Sequence, residues 1–437
     1  MDEPAHGVGS RSGHERIVAA ASRVVASYPS DRWRYLQGRA RAVCGTSVCG
    51  AQDRRVCASA WGNVTAACVV SVAAGWNITA VGAVADPLAA HYDASLSAIG
   101  LLGSALWSTH ALLQAPAGAL VDRVGARPVA AGAAGLLLAG NLAALLVEGV
   151  AAVALLRLLT GAGCGATMVC ASLRVRAAGA RGQGAVGGAV SAGGALAVAT
   201  GPALVDVVGW RAPYVGGVVL AVLALVAALT DRRAGPRPVG GRGRAAAGIG
   251  PGRRALLPLG AVLGITIVLS FSLGNWIATI LDRVGAFGPV AAGVAGATVL
   301  AGSVLTRPLG GVLVTGRPRG FARGLVLGAL VAAASGAALL SVASSPELLV
   351  VAMVTLGLAA GLPFAAVVDA AARRSPATPG AAVGFVGTTG TLGGLVAIAA
   401  LGPAVEAGAV REVFAALTVL TLGVAVLFAH TSRTTAR

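Results

Sequence analysis

Twelve stretches of mostly apolar residues, each roughly twenty or more long, follow one another along this chain and leave very few folds open. Their approximate limits are 62–85, 95–121, 128–147, 149–172, 184–206, 212–230, 255–281, 288–314, 322–343, 347–371, 380–405 and 410–430. A helix of about 20 residues crosses the roughly 30 Å of hydrocarbon in a bilayer. Within that layer the backbone has no water to bond, so it must satisfy itself, and a helix does so internally. The chain therefore reads as an all-α membrane protein of twelve transmembrane helices in two pseudo-symmetric six-helix halves. Its 56% hydrophobic and 11% charged residues fit that reading, since a soluble domain carries about 25% charged residues. Many of the 64 glycines fall inside apolar runs, where small residues let membrane helices approach closely.

All 33 basic residues are Arg, and the formal charge is +17. Such an excess would suit nucleic acid if it formed one face. Here it is scattered between apolar segments, so the expected partner is the lipid bilayer and not a nucleic acid. Arg collects in alternate loops, as cytoplasmic loops do. Nine lie in residues 1–60 and seven between 232 and 254. Smaller groups are Arg123 with Arg127, Arg174 to Arg181, Arg317 to Arg323, Arg373 with Arg374, and Arg433 with Arg437. The opposite loops hold only Arg211, Arg283 and Arg411. The expected topology has both termini cytoplasmic, in the cell inner membrane. Residues 1–60 read as a disordered cytoplasmic tail or as sequence upstream of the true start. Residues 61–230 form the first half, 231–254 a cytoplasmic linker, 255–430 the second half and 431–437 a cytoplasmic C-terminus.

The halves echo each other, as internal repeats in transporters do. Gly75-Trp76-Asn77-Ile78 in the first span answers Gly274-Asn275-Trp276-Ile277 in the seventh. Gly193 and Gly201-Pro202-Ala203 answer Gly394 and Gly402-Pro403-Ala404, at a constant offset of 201.

After the second span the sequence reads Gly118-Ala-Leu120-Val-Asp122-Arg123-Val-Gly125-Ala-Arg127. This resembles the loop 2–3 signature of the major facilitator superfamily, and Arg157-Leu-Leu-Thr-Gly161-Ala-Gly163 resembles its fourth-helix motif. The likeness covers about residues 60–430. It implies a carrier whose halves rock around a central site, with Gly118, Asp122, Arg123, Gly125 and Arg127 as a conformational latch. Asp122 sits at a helix end, where a carboxylate can pair with a guanidinium or with a helix N-terminus. In the second copy Thr315 stands where the acid would be, so one strong latch is expected. The motif assigns Arg157 to proton coupling or to helix packing.

Charge inside a membrane span costs about 2.5–3.5 kcal/mol on insertion scales and usually faces a cavity. Arg157 and Arg307 are the two such residues. None of the sixteen acids lies in the middle third of a span, and Asp369 is expected to pair with Arg373 four residues on. A positive, acid-free cavity favours an anionic solute over a cationic drug. Arg307 can hold a carboxylate, nitrate or phosphate through a two-pronged fork, or it can bond carbonyls freed by Pro308. Gln114 falls opposite Arg307 when the two loop signatures are aligned. His110 shares a helical stripe with Gln114 and Trp107 and can carry a proton near neutral pH. Trp76, Asn77, Asn275 and Trp276 complete the expected solute contacts, from helices that line the cavity in this family.

The eleventh span and Arg307 are similar to features of nitrate and nitrite porters, although Thr391 replaces an Asn and Gln114 a second Arg. Gly188, Gly201 and Pro202 are similar to a drug–proton antiporter motif, with Val205-Asp206 in place of its closing glycines. The reading is a secondary active transporter of a small anion. Its alternatives are a drug–proton exporter and a membrane sensor. No enzymatic activity, cofactor or metal is expected, and the remaining partner is a coupling ion, a proton or a counter-solute. The chain lacks Lys, which excludes an ATP-binding loop of the G-x-x-x-x-G-K-[ST] type. The carrier is expected to be a monomer.

Overall fold

The computed structural model describes residues 51–230, 253–272 and 289–434. Contacts group the described residues from 58 onward into one compact unit. The helices run in the order α1 (Ala51–Ala83), α2 (Ala85–Tyr92), α3 (Leu96–Val124), α4 (Ala126–Ala144), α5 (Val150–Arg174), α6 (Gly179–Val208) and α7 (Ala212–Thr230). Then come α8 (Arg253–Ile267), α9 (Pro289–Val314), α10 (Arg319–Val342), α11 (Pro346–Gly361), α12 (Pro363–Arg374), α13 (Pro379–Glu406) and α14 (Val410–Thr434). No strand occurs among the described residues.

Among the described residues, eleven segments are long and apolar enough to cross a membrane. The expected third span is α4, which is helical but not among the eleven, because Arg127, Pro128 and Asn141 dilute its 19 residues. The expected tenth span is two helices, α11 and α12. Pro363 begins the second of them; it has no N–H to continue the ladder, and its ring crowds the preceding turn. The short helix α2 has no counterpart in the sequence reading. The expected disordered tail falls mostly outside the described residues, as does most of the linker.

Helix ends follow local chemistry. The Ser95 hydroxyl accepts from the Ala98 N–H at 3.1 Å and caps α3. At the other end Gly125 takes φ +92° and turns the chain straight into α4, a conformation that costs little only without a Cβ.

The repeat is visible in bonding as well as in sequence. Arg127 at the start of α4 donates to the carbonyl of Leu229 at the end of α7, at 2.5 Å. Arg323 at the start of α10 donates to the carbonyl of Ala429 near the end of α14, at 2.9 Å. The same pairing of a starting Arg with a closing carbonyl thus recurs in the second half.

Between the halves, α3 packs on α13 and α6 packs on α9. Glycine makes both approaches possible. A Cβ on Gly384 of α13 would collide with the Gln114 carbonyl of α3. On the other side, a Cβ on Gly184 of α6 would lie 2.5 Å from the Arg307 carbonyl. Backbones this close gain dispersion contacts along their whole length, which is the main attraction available where lipid is as apolar as the side chains.

Candidate functional site

Arg307 lies in α9, one residue before the helix-internal Pro308, and only 1% of it is exposed. Its guanidinium lies over two aromatic rings from other helices. The Cζ atom is 5.2 Å from the ring centroid of Phe271 and 4.7 Å from that of Phe364, within reach of cation–π attraction. Phe271 belongs to a π turn, Val268–Ser272, that continues α8; such turns recur at functional sites. Phe364 follows the break before α12.

Nη1 of Arg307 donates a long 3.4 Å bond to the carbonyl of Gly187 on α6. Nε and Nη2 have no partner. These two nitrogens point their hydrogens along one edge of the planar guanidinium, the edge that matches a carboxylate with two parallel bonds. The bond that is made goes to the opposite half, not to a carbonyl that Pro308 releases from the α9 ladder. A buried cation with two idle donors costs far more than one that is paired. The arrangement is therefore complementary to an anion.

Arg307 lines a cavity of about 50 Å³ whose walls come from both halves. A water needs about 10–15 Å³ measured in this way, so a small anionic group has room. Arg307, His110, Gln114 and Thr391 provide its polar side chains. The Gln114 amide donates to the Thr391 hydroxyl at 2.7 Å, linking α3 to α13. Gly387 lets the two helices close over that amide, because a Cβ there would overlap Gln114 Oε1. His110 is buried beside Trp107, with ring centroids 5.6 Å apart. Its Nδ1 has no partner.

Three of the expected solute contacts, Arg307, Gln114 and His110, thus share one cavity. Trp76 and Asn77 lie outside its lining. The Trp76 indole N–H donates to the Pro213 carbonyl at 2.9 Å, at the start of α7. Asn77 accepts from the Asn141 amide at 2.8 Å and donates to the Ala73 carbonyl at 2.9 Å. Both side chains are spent on packing inside the first half. Arg157 donates from Nη2 to the Asn77 carbonyl at 2.5 Å, while its Nε has no partner. Asn275 and Trp276 lie outside the described residues.

The loop signature lies at the arginine-rich end of the bundle. Asp122 accepts from the backbone N–H groups of Gly380 (Oδ1) and Ala381 (Oδ2), each at 2.9 Å. Of the two partners open to Asp122, the helix N-terminus is the one it bonds. A Cβ on Gly118 would strike the Gly380 carbonyl, so the same pair of helices needs glycine there. Gly125 supplies the turn, and Arg127 bonds α7. Arg123 is the remaining member, in the last turn of α3. Thr315, in the position of the missing second acid, bonds back to the Gly311 carbonyl of its own helix at 2.7 Å. Asp369 and Arg373 form the expected ion pair.

Phe271, Phe364, Gly187 and Gly387 shape the site without having stood out in the sequence, and Thr391 stood out only as a departure from the nitrate and nitrite porters. In an oily, glycine-rich chain, an aromatic or a glycine carries no mark that separates a cavity wall from ordinary packing. Only the pseudo-symmetry that set Gln114 opposite Arg307 pointed toward this place.

The Major Facilitator Superfamily model matches residues 65–398. No curated protein matches the chain. Among solved structures, the human organic anion transporter MFSD10 (TETRAN) superposes with a TM-score of 0.67 at 17% identity, covering 84% of this chain and 99% of that one. The E. coli fucose:proton symporter FucP gives a TM-score of 0.61 at 14% identity, covering 84% and 98%. At these identities the superpositions establish the shared fold, while the family model spans most of the sequence. The chain belongs to the Major Facilitator Superfamily.

Proposed function

We propose that this transporter carries a small anion across the cell inner membrane by alternating access, with Arg307 as its handle. The observation that carries the reading is the buried Arg307 edge, Nε and Nη2, left without a partner inside a cavity between the two halves. No carboxylate lines that cavity among the described residues, which argues against a cationic drug. Two further comparisons agree: MFSD10 is described as an organic anion transporter, and FucP as a proton symporter. A proton is accordingly the coupling ion we favour, with His110 as the group in the cavity able to take it up.

In this reading residues 61–230 and 255–430 are the rocking halves, joined by a cytoplasmic linker, and the arginine-rich end faces the cytoplasm. The Asp122 bonds hold that end shut. The site then exchanges solute with the opposite side until the bonds release. Flux measured in proteoliposomes with a panel of anions tests the proposal. Uptake of at least one anion, weakened in Arg307→Ala, is expected; folded protein that moves none of them overturns it.

A further inference from the structure

The cavity holds one positive charge and little else that can bond a polar solute. Of its four polar side chains, Gln114 and Thr391 already bond each other. No bond is made by the Nε/Nη2 edge of Arg307 or by Nδ1 of His110, and the Trp107 indole N–H also belongs to the lining. The other walls include Ile78, Trp107, Met168, Val190, Leu263 and Ile267. Phe271 and Phe364 flank the guanidinium itself.

We infer that the substrate is a monocarboxylate with a compact apolar body. This rests on the anion reading above and narrows it. A carboxylate is planar, and its two oxygens match the two donors of the free edge. Its hydrocarbon part then lies against the aliphatic and aromatic wall, where burial is favourable and needs no directional bond. A second negative charge would lose its water and meet no second cation, which is the costly case for a buried ion. A sugar would set its hydroxyls against a lining that is mostly aliphatic and aromatic, so part of them would go unbonded. Nitrate fits the edge but leaves the apolar wall unused. Phosphate adds both charge and hydroxyl to the deficit.

Gly187 helps set this selectivity. A Cβ there would strike the Phe364 ring and come within 3.1 Å of Arg307 Cδ. Glycine at this position therefore lets the ring and the guanidinium share one wall of the cavity.

The test is thermal stabilisation of the purified full chain by benzoate, butyrate, succinate, nitrate, phosphate and fucose. Ligands that bind the folded state raise the midpoint according to their affinity. Benzoate or butyrate should half-saturate the shift at a concentration about tenfold or more below succinate and phosphate, since a single unpaired buried charge is worth at least that factor, and below nitrate, which leaves the apolar wall unfilled. Fucose should give no shift. The ranking is read on the wild-type protein and does not depend on a variant that folds. Gly187→Ala should lower the unliganded midpoint, because the methyl overpacks against Phe364, and should weaken the benzoate shift as well. If succinate, nitrate or phosphate stabilises as well as benzoate, the monocarboxylate inference fails and the anion reading stands. If fucose stabilises and no anion does, both fail. Absence of a shift with both monocarboxylates overturns the inference.

Discussion

The Asp122 carboxylate at the end of α3 accepts the N–H of Gly380, the second residue of α13, at 2.9 Å, and joins the two halves at the arginine-rich end. The first N–H groups of a helix lack partners of their own, and the partial positive charge there favours an anion. Hydrogen bonds to a charged group contribute roughly 1.5–3 kcal/mol each. Asp122→Asn keeps the shape and removes the charge, so it should favour the state open at this end. In proteoliposome flux the turnover number should change more than KM; a change confined to KM would count against the latch.

Gly118→Ala attacks the same closure by shape alone. The added methyl would meet the Gly380 carbonyl, and overpacking of this kind typically costs about 1–3 kcal/mol. Maximal flux should fall about tenfold, while anion-induced thermal stabilisation persists because the cavity is untouched. Wild-type flux in this variant would mean that the two helices do not need to come this close.

How much of this was legible in the sequence differs between fold and site. The spans could be read because twenty-residue apolar runs separated by Arg are dictated by the bilayer itself. The break at Leu362 and Pro363 was less readable, since both residues are apolar enough to hide inside one run. For the site, a charge in an oily helix marks itself, so Arg307 stood out, and the aligned loop signatures led to Gln114. Trp76 and Asn77 lie outside the cavity lining for a physical reason. Their echo in the seventh span gave the helix, but not its rotation, and the rotation turns both toward α4 and α7.

That rotation makes a prediction. Trp76→Phe removes the bond to the Pro213 carbonyl, and such bonds within membrane bundles average about 0.6 kcal/mol. The thermal midpoint should drop slightly while KM stays within about twofold of wild type, because 0.4 kcal/mol is a factor of about two. A large change in KM with an unchanged midpoint would return Trp76 to the solute site.

His110 and Arg307 are the titratable side chains in the cavity lining; α5 and α13 contribute Met168, Gly387 and Thr391, which do not titrate. If His110 carries the coupled proton, uptake should fall as external pH rises, and His110→Gln should flatten that profile. A variant that keeps the wild-type pH dependence would exclude His110 as the carrier of the proton.

The most direct measurement compares initial anion uptake by wild type, Arg307→Lys and Arg307→Gln in proteoliposomes. Lys keeps the charge and loses the planar fork; Gln loses both. The account predicts that kcat/KM falls at least about thirtyfold in Arg307→Gln, the equivalent of about 2 kcal/mol for a buried charged contact, and falls clearly in Arg307→Lys too. Both variants should remain folded. Wild-type kcat/KM in folded Arg307→Gln would contradict the claim that this guanidinium holds the solute.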